Sequence, residues 1–278
     1  MKNRIIVLIV GFGVLIGACK TEKKEDTSET PVVSEQAIVG KEVTYTTEST
    51  TMKGFLAYDE AIKEKRPGIL VVHEWWGHND YTRERARMLA ELGYTALAVD
   101  MYGDGKQANH PDDAGKFSGM VMQNIDEAKA RFKSALKLLK SQPSVDSTEI
   151  AAIGYCFGGS VVLTMANAGE DLDAVAAFHS GVQLPIMPNK DLKAKVLVCN
   201  GAADPFVSAE SVVAYKAAMD GIEADYKYIA YEEAQHAFTS KEADSLGQKF
   251  SLPLAYQEKA DKESWTELQE LLNNTFNK

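Results

Sequence analysis

Three cysteines in 278 residues leave no pair to spare for a structural disulfide, because Cys19 closes a leader, Cys156 lies in a glycine-rich turn and Cys199 falls inside an apolar run. A small disulfide-stapled scaffold is therefore excluded. Basic excess is missing as well: 30 Lys and Arg stand against 40 Asp and Glu, a formal charge of −10. That lacks the electrostatic footprint of a nucleic-acid binder, and no such partner is expected. Long apolar runs are absent too, since the longest, residues 5–16, is too short for a permanent membrane span. There is no internal repeat. The two histidines of His73-Glu74-Trp75-Trp76-Gly77-His78 are five apart with a glycine between them. A zincin helix needs its pair four apart, so no metal is expected there, and nothing calls for a cofactor.

What the N-terminus does contain is a short leader. Lys2 and Arg4 precede the apolar run, and Ile16-Gly17-Ala18-Cys19 follows it, small residues before a cysteine. The pattern resembles a bacterial lipobox, in which residues 1–18 are a lipoprotein signal peptide and Cys19 is diacylated after export. A plain signal peptide or an uncleaved anchor is the other reading. Residues 19–37, rich in Lys, Glu, Thr and Ser, form a flexible tether that cannot bury enough apolar area to fold. Loss of the leader takes the charge from −10 to −12, since it carries Lys2 and Arg4 and no acid. Residues 38–278 remain as one large domain, expected to be exported and held to a membrane of the cell envelope by the N-terminal lipid.

Within it, residues 43–47 and 52–58, joined by a short polar turn, predict an antiparallel edge pair. Short apolar runs follow at 69–72, 95–99, 150–154, 174–178, 196–199 and 226–231, most of them separated by helical segments. Alternation of this kind implies an α/β domain, a mainly parallel sheet covered by helices on both faces. The longest helical signal places Val121, Ile125, Ala128, Phe132, Ala135 and Leu139 at spacings of three and four. Residues 103–119, rich in Gly, Asp and Lys, read as a long loop, either a pocket rim or a surface excursion. A C-terminal helix with Trp265, Leu268 and Leu272 closes the sheet.

The chemistry centres on Gly154-Tyr155-Cys156-Phe157-Gly158-Gly159, directly after the run at 150–153. G-x-C-x-G at a strand end has the form of a nucleophile elbow, where small neighbours two residues either side admit a strained central residue. A buried structural cysteine is the alternative. An acid and then a histidine must follow, each after a strand. Asp204 follows the strand at 196–199, and His236 lies beyond the strand at 226–231. His73, His78 and His110 precede the nucleophile or sit in a polar loop, and His179 precedes the acid, so only His236 obeys the order.

These residues resemble the dienelactone hydrolases (carboxymethylenebutenolidases), a family with the α/β-hydrolase fold. The resemblance is carried by the elbow, by His73-Glu74-Trp75-Trp76-Gly77-His78-Asn79, by Asp100-Met101-Tyr102, by residues 201–205 and by residues 232–238. It implies Cys156 as nucleophile, His236 as base, Asp204 as its orienting acid, and Glu74 as a carboxylate touching the resting thiol. It also implies an oxyanion hole made by the backbone N–H groups of Trp75 and Phe157. Glu74 could instead pair with Arg83 or Arg87. Trp76 and Phe238, beside the catalytic groups, are expected to line an apolar pocket together with Trp75, or else to pack in the core.

The chain departs from the family at the substrate. Two arginines that hold the carboxylate of dienelactone are expected shortly after Asp100-Met101-Tyr102 and shortly after His236, and neither place has one. Lys106 and Lys241 are the nearest cations, but a flexible ammonium replaces a planar bidentate clamp poorly. The expected function is hydrolysis of a small-molecule ester or lactone. A thioesterase on the same triad, or a catalytically silent surface ligand-binding module, are the alternatives.

Overall fold

The computed structural model describes residues 36–276 and, apart from them, Gly11. The leader, Cys19 and nearly all of the tether lie outside the described residues. The chain order is β1 (Ile38–Thr46), β2 (Thr51–Asp59), β3 (Arg66–Val72), α1 (Asp80–Glu91), β4 (Thr95–Val99), α2 (Pro111–Gln123), α3 (Ile125–Lys140) and β5 (Val145–Tyr155). Then come α4 (Phe157–Asn167), β6 (Ala174–Phe178), β7 (Lys195–Gly201), α5 (Ala209–Gly221), β8 (Tyr226–Tyr231), α6 (Ala243–Phe250) and α7 (Glu258–Phe276). The eight strands form one sheet in the order β1-β2-β4-β3-β5-β6-β7-β8. β1 and β2 are the antiparallel edge pair, β2 also meets β4 antiparallel, and every later pairing is parallel. This is the α/β-hydrolase arrangement.

Consecutive side chains of a strand point to opposite faces, so each central strand feeds two cores. Leu70, Val72, Leu97 and Val99 pack with Phe132 of α3 and Val161 of α4, whereas Ile69, Val71, Ala98 and Ile153 pack with Leu89 of α1 and Leu268 of α7. Uninterrupted apolar runs are what a doubly covered strand requires.

Two expectations about helices need correction. The periodic stretch from Val121 to Leu139 is not one helix but the end of α2 and the whole of α3, broken at Asn124. There the backbone turns to φ −116°, ψ 77°, and the Asn124 carboxamide caps α3 by accepting from the Glu127 N–H. The glycine-rich stretch at 103–119 is a loop only to His110, whose side chain accepts from the Asp112 N–H and caps α2. Pro111 occupies the first turn, where its missing N–H costs nothing. Across the sheet, the C-terminal ends of β3, β5, β7 and β8 carry the segments with Trp75, Cys156, Asp204 and His236, the edge where open α/β sheets place their sites.

Candidate active site

Cys156 sits between β5 and α4 at φ 53°, ψ −116°, a left-handed conformation costly for a residue with a side chain. The elbow exists because its neighbours are glycines. A Cβ on Gly154 would lie 2.1 Å from the Gly158 carbonyl oxygen, and one on Gly158 would lie 2.3 Å from that of Val72. The Cys156 N–H is tied to the Phe178 carbonyl at 2.9 Å, anchoring the turn to β6. Its Sγ therefore stands at the N-terminus of α4, whose uncapped amides favour negative charge.

His236 reaches that sulfur from the loop after β8, with Nε2 3.1 Å from Sγ and Nδ1 2.8 Å from Asp204 Oδ2. The Nδ1–H donates to the carboxylate, which also accepts from the Phe206 N–H at 2.8 Å. Both side chains are nearly inaccessible to water. Burial alone would discharge the imidazolium, but its contacts with the Cys156 sulfur and the Asp204 carboxylate outweigh it and raise the His236 pKa to about 10. The arrangement favours an imidazolium held between the Cys156 sulfur and the Asp204 carboxylate. Cys199, in contrast, is fully buried in β7, and burial pushes its thiol up to about 12.

The Trp75 and Phe157 N–H groups make no hydrogen bond to another described residue. The Trp75 segment is held in place: the Tyr102 hydroxyl donates to the Trp75 carbonyl at 2.9 Å, and His73 bonds the Glu74 carbonyl through Nδ1 while its Nε2 accepts from the Met101 N–H. His73 also stacks on Phe157, so the two segments pack together. Among the described residues no three His, Cys, Asp or Glu side chains could hold a metal.

Glu74 is not on the thiol. Its carboxylate makes no hydrogen bond among the described residues; it lies 4.0 Å from His179 Nε2 and faces a separate cavity of about 500 Å³. Nor does it pair with Arg83 or Arg87, which are engaged with Glu42 and Glu84. Burial raises its pKa to about 7 against the opposing pull of charged His236.

A cavity of about 380 Å³ opens over Cys156 and His236. Its apolar walls are Trp75, Met122, Phe157, Phe206 and Leu254, and among the described residues no Lys, Arg, Asp or Glu lines it. Two expected pocket residues are elsewhere. Phe238 is fully buried between His179 and Tyr231, and Trp76 turns away from the cavity to stack on Phe250. Lys106 pairs with Asp104 on the rim of a different cavity, and Lys241 lines none of these walls, so neither replaces the missing arginines.

Sequence reasoning missed Phe206, whose signal was an aromatic two residues after the acid, and it set His179 aside. The His179 ring lies 5.4 Å from that of His236, its Nε2 is 2.7 Å from Thr239 Oγ1, and burial with the nearby His236 charge keeps it neutral. No sequence signal ties Thr239 or Arg85 to this cluster, although the Arg85 guanidinium donates to the Thr239 carbonyl at 2.7 Å.

The sequence profile of the dienelactone hydrolase family matches residues 52–276. A protein of Aquifex pyrophilus named Protein usf is 28% identical over 215 residues, 75% of this chain and 90% of its own length. Among solved structures, one named m3DLH is 37% identical with a TM-score of 0.82, covering 86% of this chain and 99% of its own. Another, the dienelactone hydrolase-like promiscuous phosphotriesterase P91 from metagenomic libraries, is 35% identical with a TM-score of 0.80 and covers 86% and 99%.

Proposed function

Because the chain belongs to the dienelactone hydrolase family and is a hydrolase, we propose that it cleaves a neutral carboxylic ester or lactone through Cys156, His236 and Asp204. The observation that carries this reading is the unbroken chain from Asp204 Oδ2 through the His236 ring to Cys156 Sγ, at 2.8 and 3.1 Å. The Cys156 sulfur, its proton held by His236, attacks the acyl carbon. The developing oxyanion is received by the N–H groups of Trp75 and Phe157, each such donor contributing about 10²–10³ in rate. Collapse expels the alkoxide, which takes the proton from His236 Nε2, and leaves a thioester on Cys156. His236 then draws a proton from water, hydroxide attacks the thioester, and the thiol is restored as the acid departs. Asp204 keeps the Nδ1–H tautomer and stabilises the imidazolium throughout.

The neutral substrate follows from the lining: among the described residues no Lys or Arg meets a carboxylate placed in this cavity, and the His236 imidazolium there is already paired with Asp204, so desolvating the carboxylate costs several kcal/mol. Phosphotriester hydrolysis is a second reading, supported by the likeness to the 35% identical phosphotriesterase and by the same mostly apolar walls. A thioester substrate fits the triad equally. A silent binding module would not need a cysteine in strained geometry beside a charged histidine. Export on an N-terminal lipid at Cys19 is part of the proposal, resting on the leader pattern alone.

Kinetics on p-nitrophenyl acetate, a neutral lactone, a carboxylate-bearing dienelactone and paraoxon test the reading. Wild type should prefer the neutral carboxylic substrates, and Cys156→Ala should lose the activity. Hydrolysis by Cys156→Ala at the wild-type rate would refute the nucleophile, and preference for the anionic dienelactone would refute the substrate class.

A further inference from the structure

We infer that α2 and Phe206 form a subsite for a flat aryl group of the substrate, its width set by Gly115 and Gly119; the inference rests on the hydrolase reading above. The cavity over Cys156 is lined from α2 by Gly115, Ser118, Gly119 and Met122. Spacings of three, four and seven place all four on one helical face. Three of them contribute almost no side-chain volume.

Nothing in the backbone requires those glycines. Neither has a positive φ, and they occupy the interior of a regular helix, where glycine is less favourable than any residue but proline. Crowding does not require them either. A Cβ on Gly115 would meet nothing within 4 Å, and one on Gly119 only the Gln123 side-chain amide at 3.9 Å. α2 is poorly supplied with packing to offset this, since only Ala114 and Val121 are buried. A local choice that weakens a helix without any gain inside the fold is the kind of conflict found at functional sites. What the missing side chains leave is a bare backbone wall beside the nucleophile.

The other residue of the subsite is Phe206. It is 53% exposed, an unusual state for phenylalanine, yet it is fixed: its N–H donates to Asp204 and its ring meets the His236 ring edge-on at 5.0 Å. Trp75 and Phe157 extend the apolar lining. The Ser118 hydroxyl is spent on the Ala114 carbonyl at 2.8 Å, and Lys116 of the same helix lines a different cavity. A wall of glycine backbone with aromatic rings around it, and no Lys, Arg, Asp or Glu among the described residues, suits a planar apolar group better than a branched or ionic one.

The test compares 2-naphthyl acetate and ethyl 2-naphthoate with ethyl acetate in wild type, Gly115→Ala, Gly119→Ala and Gly119→Leu. Melting temperatures of the two alanine variants should rise, because alanine favours the helix. The naphthyl-to-ethyl ratio of kcat/KM should fall about tenfold or more in Gly119→Leu, mostly through KM, with a smaller fall in the alanine variants. A folded Gly119→Leu variant with an unchanged ratio overturns the subsite while leaving the hydrolase reading intact. Should wild type hydrolyse none of the esters, the hydrolase reading fails instead. The subsite is then judged by calorimetric titration of 2-naphthyl acetate into Cys156→Ala protein, with and without Gly119→Leu: about tenfold weaker binding in the double variant supports it, and equal or absent binding refutes it.

Discussion

Replacing Glu74 by Gln should stabilise the protein at pH 8 and leave it almost unchanged at pH 4.5. The Glu74 carboxylate is buried, has no hydrogen-bond donor among the described residues, and holds its proton to about pH 7 against an ordinary value of 4.5. Between those limits the folded chain binds a proton that the unfolded chain has released, so stability falls as pH rises and the loss is complete above about pH 7. The gap corresponds to about 3 kcal/mol, which for a domain of this size is about 6–12 °C in melting temperature. His236 changes stability in the same direction. Its raised pKa stabilises the fold fully below about 6.5, and that contribution is lost as pH climbs toward about 10. A pH scan of wild type alone would therefore mix the two, whereas the difference between wild type and Glu74→Gln isolates the carboxylate. The assay is urea denaturation at pH 4.5, 6 and 8. Equal midpoints at pH 8 would mean that Glu74 ionises freely or finds a donor, which refutes the reasoning from burial.

Asp204→Asn should leave the fold intact but lower kcat by about 10⁴, because an amide no longer selects the Nδ1–H tautomer or stabilises the imidazolium; a loss of less than about tenfold in steady-state kinetics would mean that His236 is oriented by other contacts. Iodoacetamide should label Cys156 and spare Cys199, whose thiol is buried and pushed up to about 12, with peptide mass spectrometry as the readout and preferential labelling of Cys199 as the contrary result. Cys19→Ser should release the protein from the membrane fraction or leave the leader uncleaved, as the proposed lipid anchor demands; unchanged mass and unchanged membrane association would refute it.

The strand runs and the order of the three site residues were legible because both depend on local pattern. A doubly covered strand must be apolar throughout, and an elbow must have its glycines. The pocket was much less legible, because adjacency in sequence says little about which way a side chain points. Trp75 and Trp76 are consecutive, yet one lines the cavity and the other packs on Phe250. Phe238 is two residues from His236 and lies in the core, whereas Phe206 is two residues from Asp204 and stands half exposed over the histidine. α2 was hidden by its own composition, since Gly115 and Gly119 weaken the helical signal and its apolar residues run on in phase to α3 across the break at Asn124.

The part of the site least visible in the sequence is what holds His236 still. The histidine loop contains Glu233 and Ala237 at φ 59° and 60°, two non-glycine residues in left-handed conformations that persist only if the surroundings over-determine them. Arg85 of α1 supplies much of that constraint. It donates to the Thr239 carbonyl, pairs with Asp261 of α7 at 2.7 Å, and lies against the rings of Tyr81, Tyr155 and Trp265. Tyr81 in turn bonds the Thr239 hydroxyl at 2.6 Å, and that hydroxyl meets His179, whose ring backs His236. A buried ion pair contributes little net stability once its desolvation is counted, so its value here is geometric: it ties α1 and α7 to a residue three places past the histidine. Neutral His179 completes the support without adding a second positive charge beside the imidazolium. His236 is thus positioned by side chains more than a hundred residues upstream as well as by Asp204, and only the fold brings them together.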